Sequence, residues 1–558
     1  MLAPLLVAAI GCALPLLQDQ DNDGFGVLVD CDDADAERHP FANDVAQDGV
    51  DQNCDGVDGT DADGDGQASM ETGGEDCDDA DVDVFSEAPE ICGDGVVNDC
   101  DSDAGRALAI CGLSGGRSVT EADARMLGRV DHSNAGSAAS AVGDMDGDGL
   151  PDLLIGAPVD GGEGVVWVIS GMARGDLTLG TDTIGSIRGL SGNSRAGFAV
   201  SGVGDMNGDG WDDVLIGSPF QDTQGEDDGA AHLVLGPVSG DLSLTADAHA
   251  TLVGESVSDL AGYAVASAGD IDGDGQPDVL VTSPGDDQGG DSAGATYLLP
   301  GPLEGTLSLA VAFKLSGEEA GDQAGHAAAA VGDVDGDGVD DLLIGSYLAG
   351  SDDRGAAYLI LGPVRNSFGL HDADAKLIGD QDDCGAGHSV AAAGDVNGDG
   401  LADILVGAPY MDRDRQWATG AAYLVFGPVG YGGRLASAQA TLTSSREGSL
   451  AGWSVDSAGD VDGDGHGDLL VGALTDSRAG PEAGAVHLVR GPVIGHVELA
   501  DADGRFTGAQ AYGRLGKAVA GVGDVDGDGF DDVLLGAHAS GEDHPFPGAA
   551  YLLLGGGL

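Results

Sequence analysis

The chain has 558 residues, 100 of them glycine, and carries 98 acidic against 21 basic side chains, a formal charge of −77 at neutral pH. That balance argues against nucleic acid as a partner, because phosphate binding needs a basic face, and against docking on anionic lipid headgroups. Acidic, aromatic-poor chains are often disordered, but 42% of these residues are hydrophobic and fall in repeated short runs, enough to build a core.

Residues 1–17 (MLAPLLVAAIGCALPLL) form the only long apolar stretch. It is too short and too proline-interrupted for a membrane span, and its place suits a secretory leader, although no Lys or Arg precedes it. Within it AIGC, ending at Cys12, resembles a bacterial lipoprotein cleavage site, with Ala9 standing where that pattern usually has Leu. The expectation is export, with either lipidation at Cys12 or ordinary cleavage near Leu17; membrane contact then comes only through a lipid at Cys12. The cysteines agree with an oxidising compartment. Cys31 to Cys54 and Cys77 to Cys100 share one separation, and Cys92 with Cys111 is a third pair, leaving Cys12 and Cys384 over. Spacing leaves the connectivity open.

Residues 18–103 read as an acidic stalk and 104–120 as a linker. Between 19 and 103 stand 29 acids and one basic residue, Arg38. DQDNDGFGVLVD places Asp19, Asp21, Asp23 and Asp30 at positions 1, 3, 5 and 12, close to an EF-hand loop, and Asp61, Asp63 and Asp65 begin a less regular copy. With its DCDD and NCDG elements the segment resembles the Asp/Cys-rich metal-binding repeat of bacterial surface proteins, in two copies. A disordered acidic spacer is the alternative.

From 121 to 558 the chain repeats itself seven times. The copies begin GDMDGDGLPDLLIGAP and end GDVDGDGFDDVLLGAH, and their first loop aspartates are spaced 61 to 65 residues apart. Each period holds four short β-like runs bounded by Gly, Pro and Asp, none with helical periodicity. Four strands per unit, seven times, predict an all-β, seven-bladed β-propeller; a β-solenoid is the rival, with rungs usually far shorter. Period seven stops after its third strand, whereas ARMLG (124–128) precedes the first loop and matches ATLVG (250–254). An N-terminal strand completing the last blade closes the ring and removes sheet edges.

The acidic loops carry the chemistry. In DMDGDGLPD the side chains at positions 1, 3, 5 and 9 are Asp144, Asp146, Asp148 and Asp152. The later copies supply Asp205, Asn207, Asp209 and Asp213; Asp270, Asp272, Asp274 and Asp278; Asp333, Asp335, Asp337 and Asp341; Asp395, Asn397, Asp399 and Asp403; Asp460, Asp462, Asp464 and Asp468; and Asp524, Asp526, Asp528 and Asp532. A tight turn brings such oxygens round one point, with the position-7 carbonyl as a further ligand, which suits Ca²⁺ better than zinc or iron. Position 12, where an EF-hand needs an acid, is always aliphatic here, so these are strand-flanked calcium loops, about seven ions, with more in the stalk.

The loop pattern, the upstream glycine elements (Ala196-Gly197-Phe198, Ala261-Gly262-Tyr263) and the downstream GAP resemble FG-GAP repeats, which build the integrin α-subunit propeller and many bacterial surface proteins. The resemblance spans about 121–558. It implies calcium between the first two strands of each blade and partner binding on the opposite loops, here FQDTQGEDDG and YMDRDRQWATG, where Tyr410, Arg413, Arg415 and Trp417 are the most binder-like side chains. The chain departs in having Ala-Gly where Phe-Gly is common, and in Ser346-Tyr347, Ala473-Leu474 and Ala537-His538 where the GAP would stand.

Two tempting motifs read as structural. Arg174-Gly175-Asp176 lies in GMARGDLTL, which aligns with GPVSGDLSL (236–244), so only Arg174 is added to the repeat. Cys384 with His388 is no nucleophile pair, since His388 fills the slot of Tyr263, His326 and Trp453. The expected function is non-enzymatic: a secreted or surface-anchored calcium-binding propeller for adhesion or recognition of an extracellular protein or glycan. The alternative is a lectin or hydrolase using the face opposite the calcium loops.

Overall fold

The computed structural model describes residues 113–556, except 191, 351, 414 and 542–546. The apolar leader, the stalk with Asp19, Asp21, Asp23, Asp30, Asp61, Asp63 and Asp65, and every cysteine but Cys384 lie outside the described residues.

Residues 113–556 form seven sheets, the blades of a β-propeller. In the first, Ala138–Val142, Asp152–Ala157, Val165–Ile169 and Gly185–Arg188 pair antiparallel in succession. The runs DLLIGA and VVWVI are buried at every position because both faces of a blade are covered by neighbouring blades, which is why they read as continuous apolar stretches without alternation. The innermost strands of successive blades pack against one another, and that of the seventh, Leu515–Gly523, packs against that of the first, completing the circuit.

The repeated glycines have a packing reason. A Cβ on Gly156, the glycine of the first GAP, would stand 2.2 Å from the carbonyl oxygen of Gly197, the starting glycine of the next blade. The same contact recurs at Gly217 with Gly262 and Gly407 with Gly452, at 2.1 and 2.2 Å. Backbone thus touches backbone where adjacent blades are closest, and any side chain would wedge them apart.

Each blade has five strands where the sequence suggests four. The GxLSL segment, expected to be a connector, is itself a strand: Gly240–Ser243 runs parallel to Gly185–Arg188 on the outer edge of the preceding blade, and Gly305–Ser308 does the same on Ala250–Val253. Their polar, half-exposed residues hide this from pattern reading.

The N-terminal residues supply the same two elements. Ala124–Leu127 pairs antiparallel with Ala549–Leu553 of the seventh blade, Met126 opposite Ala550. Gly115–Ser118 runs parallel to Gly504–Thr507 on the sixth. The expected linker of 104–120 is therefore corrected in its second half: Leu113 and Val119 are buried and belong to the propeller. The physical reason is that GGRSVTEADARML repeats the pattern of GDLSLTADAHATLV, down to Ser118 and Ser243 each capping a short helical turn through the N–H two residues on. Met126, Leu153, Ile155, Trp167, Ile169, Leu534 and Leu552 form one core across the first and last blades, each side chain contributing about 1.5–3 kcal/mol by burial.

Candidate metal centres

All seven acidic turns join the innermost strand of a blade to its second strand, so they lie at one end of the ring. In the first, Gly147 and Gly149 have φ of +86° and +92°, a region that side chains disfavour, and the chain coils round Asp144. Asp144 accepts the N–H of Gly147 on Oδ1 at 2.5 Å and that of Gly149 on Oδ2 at 2.8 Å. Asp146 accepts from the Asp148 N–H at 3.1 Å, and Asp148 from the Leu150 N–H at 2.9 Å.

Position 9 is different. Asp152 is fully buried and accepts the Met145 N–H on Oδ2 at 2.8 Å and the Gly171 N–H on Oδ1 at 3.1 Å. It staples the turn to the glycine that ends the third strand. Asp213, Asp278, Asp341, Asp403, Asp468 and Asp532 repeat the bond to position 2 at 2.9–3.1 Å and the bond to that glycine at 2.7–3.0 Å. Burial pushes Asp152, Asp213, Asp278, Asp341 and Asp403 up to about 6, and Asp468 and Asp532 to about 7, against the opposing pull of the backbone bonds; neighbouring carboxylates such as Asp146 and Asp148 raise them further.

The turns bring together part of the expected set. Oxygens of positions 1, 3 and 9 lie within 4.8 Å of one another in Asp144/Asp146/Asp152, Asp270/Asp272/Asp278, Asp333/Asp335/Asp341 and Asp524/Asp526/Asp532; in the sixth turn the group is Asp460/Asp462/Asp464. Outside the sixth turn, position 5 stands apart from these groups, one of its oxygens capping the position-7 N–H, as Asp274 does for Gln276 and Asp337 for Val339, each at 2.9 Å. In the second and fifth turns Asn207 and Asn397 put an amide oxygen at position 3, each accepting the position-5 N–H at 2.8 Å. The gathered groups are carboxylates alone, without sulfur or imidazole. Such a donor set, with carboxylates crowded enough to raise one another's pKa, fits a hard divalent cation.

The other end of the ring carries a collar that sequence reading saw only slot by slot. The residues following each innermost strand's first glycine meet their neighbours: Phe198 and Tyr263 at 5.0 Å between ring centroids, Tyr263 and His326 at 5.2 Å, His326 and His388 at 4.7 Å, His388 and Trp453 at 4.4 Å. Lys517 lies over Trp453 at 5.4 Å. Tyr410 turns toward this collar, 5.9 Å from His388, while Trp417 and Arg415 stay exposed and Arg413 is held by Glu498 and Thr443. Cys384 is a buried thiol that donates to the Arg354 carbonyl at 3.2 Å, and burial raises its pKa. His388 donates through Nδ1 to the Trp453 carbonyl at 3.1 Å, so this nitrogen carries the proton.

A family profile for the FG-GAP repeat matches this chain at residues 135–169, 196–234, 261–299, 325–360, 386–425, 451–489 and 516–553, each span running from the inter-blade glycine to the third strand. The chain is an FG-GAP repeat protein. A second profile, the Cu-binding MopE metal-binding motif, matches 30–59 and 76–104. Among relatives of the FG-GAP propeller, Integrin alpha pat-2 of Caenorhabditis elegans is 30% identical over 238 residues, 40% of this chain and 18% of the relative. Integrin alpha-V of Gallus gallus is 32% identical over 168 residues, 29% and 15%, and Integrin alpha-IIb of Homo sapiens 36% over 167, 29% and 16%. The chain thus spans under a fifth of the length of these relatives. No helix among the described residues is long and apolar enough to cross a membrane.

Proposed function

We propose that the protein is a secreted or surface-anchored, calcium-loaded propeller that serves adhesion or recognition without catalysis. One observation carries this reading: seven turns of one design, each stapled into its blade by a buried aspartate, lie at a single end of the ring, and five of them gather three carboxylates. Calcium offsets part of their charge and fixes the turns. The other end, with the collar and the loops of Tyr410, Arg413, Arg415 and Trp417, then presents a rigid recognition face to an extracellular protein or glycan. The strand Ala124–Leu127 closes the ring, and the stalk of residues 18–103 binds metal and is cross-linked by its cysteines. The mass of the mature N-terminus distinguishes a lipid at Cys12 from cleavage near Leu17.

Two measurements test the reading. Excess EDTA lowers the melting temperature, because each ion held at a hundred times its Kd adds about 2.7 kcal/mol; unchanged melting refutes calcium loading. A protein and glycan binding screen, run with and without calcium and with Trp417→Ala, then locates the ligand; binding that ignores both overturns the assigned face.

A further inference from the structure

The tripeptide Arg174-Gly175-Asp176 is not free. Arg125 clamps Asp176 with Nε to Oδ1 at 2.6 Å and Nη2 to Oδ2 at 2.7 Å. Arg174 reaches across to the seventh acidic turn, its Nη2 donating to Asp526 Oδ2 at 2.9 Å while Nη1 holds the Gly171 and Ala173 carbonyls. A second guanidinium does the same in the sixth turn: Arg490 Nη1 stands 3.3 Å from Asp462 Oδ2. Asp526 and Asp462 both occupy position 3, and both belong to their turn's gathered carboxylates. Among the described residues, no arginine or lysine pairs with a turn carboxylate of the first five blades. Arg365 lies beside the third turn but gives Nε and Nη2 to the main-chain carbonyl of Asp272, at 2.9 and 2.6 Å. The two turns with a guanidinium on a carboxylate are those of the blades that take in Ala124–Leu127 and Gly115–Ser118.

We propose that Arg174 and Arg490 are built-in counter-cations that weaken divalent-cation binding at the seventh and sixth turns and hold those turns together when no ion is bound. The proposal rests on the reading of the turns as calcium sites. A fixed positive charge roughly 6 Å from a divalent ion, even in a water-like dielectric, costs about a tenfold loss in affinity. The guanidinium also occupies an oxygen of the ligand carboxylate. Among the turns with four aspartates, the first, third and fourth fill before the sixth and seventh, and on calcium depletion that last pair empties first with its arginines still in place. The blades that accept the N-terminal strands are then the least dependent on metal.

The test is calorimetric titration of the full chain with calcium chloride, beside melting in EDTA. Wild type is expected to show a weaker class of sites. Arg174→Gln with Arg490→Gln tightens two sites about tenfold and lowers the melting temperature in EDTA. Arg174→Lys with Arg490→Lys, keeping the charge, preserves the weak class. If the double glutamine variant fails to fold, each single variant shifts one site. An isotherm indifferent to Arg→Gln, with calcium still bound, overturns this proposal alone; absence of calcium binding in wild type overturns the calcium reading and this proposal with it.

Discussion

The fourth turn separates a staple from a proposed ligand. Asp341 is fully buried and holds two backbone N–H groups, from Val334 at 2.9 Å and Gly362 at 2.8 Å. Asp335 is exposed and accepts one local N–H, from Asp337 at 3.1 Å. Replacing Asp341 by Asn keeps the volume but turns an amide N–H toward one of its two donors, leaving a buried group unpaired and a charge-assisted bond lost. That costs about 2–4 kcal/mol. Asp335→Asn copies what positions 207 and 397 already carry and costs under about 0.5 kcal/mol at an exposed site. An unfolding entropy of about 2.1 cal/mol/K per residue, over a unit of this size, converts 1 kcal/mol to roughly 1 °C. In EDTA, Asp341→Asn should therefore melt about 2–4 °C below wild type and Asp335→Asn with wild type, while in calcium both fall. Differential scanning calorimetry in the two buffers reads this directly. Equal, silent behaviour of the two variants in EDTA would falsify the staple.

Three further outcomes follow from named groups. Met126→Ala, at a fully buried side chain between the first and last blades, should cost about 2–5 kcal/mol and raise the rate of proteolysis between the N-terminal strands, measured by limited digestion; no change refutes a closing role for Ala124–Leu127. His232, buried with Nε2 2.8 Å from Gln221 Oε1, has its pKa pushed down to about 4 by burial. Its folded pKa lies below the unfolded value, so its contribution is present above about pH 6.5 and is lost as pH falls toward 4; urea melts should show wild type losing about 2 kcal/mol more than His232→Gln between pH 6.5 and 5. Cys384 should resist iodoacetamide in the native protein and label fully in denaturant, as peptide mass spectrometry would show; rapid native labelling refutes the buried thiol.

What the sequence reveals is what is local. Each acidic turn folds around its own first aspartate, so the shape of the turn and the blade number can be read from one period and its repetition. The double duty of Asp152 is harder to see, because its second partner, Gly171, lies beyond an entire strand, although a glycine recurring after every third strand is a usable signal. Arg174 and Asp526 are 352 residues apart and meet only because the first and seventh blades are neighbours. The fifth strands escape notice because their polar residues pair with another blade's edge, and the same blindness hides Gly115–Ser118 inside an expected linker.

The pairing of Ala124–Leu127 with Ala549–Leu553 also sets an order of events in time. Ala124–Leu127 waits for a strand made far later, since Asp123 and Leu554, hydrogen-bonded at 3.0 Å, are separated by 431 residues. Six blades can assemble as the chain emerges, each stitched to the one before by its outer strand, while the seventh stays open until Ala549–Leu553 has been made. Closing a loop of that length is entropically costly and slow, so until Ala549–Leu553 is in place the seventh blade keeps unpaired strand edges. Those edges are hidden only when both ends of the propeller meet, so ring closure reports that all seven blades have been made.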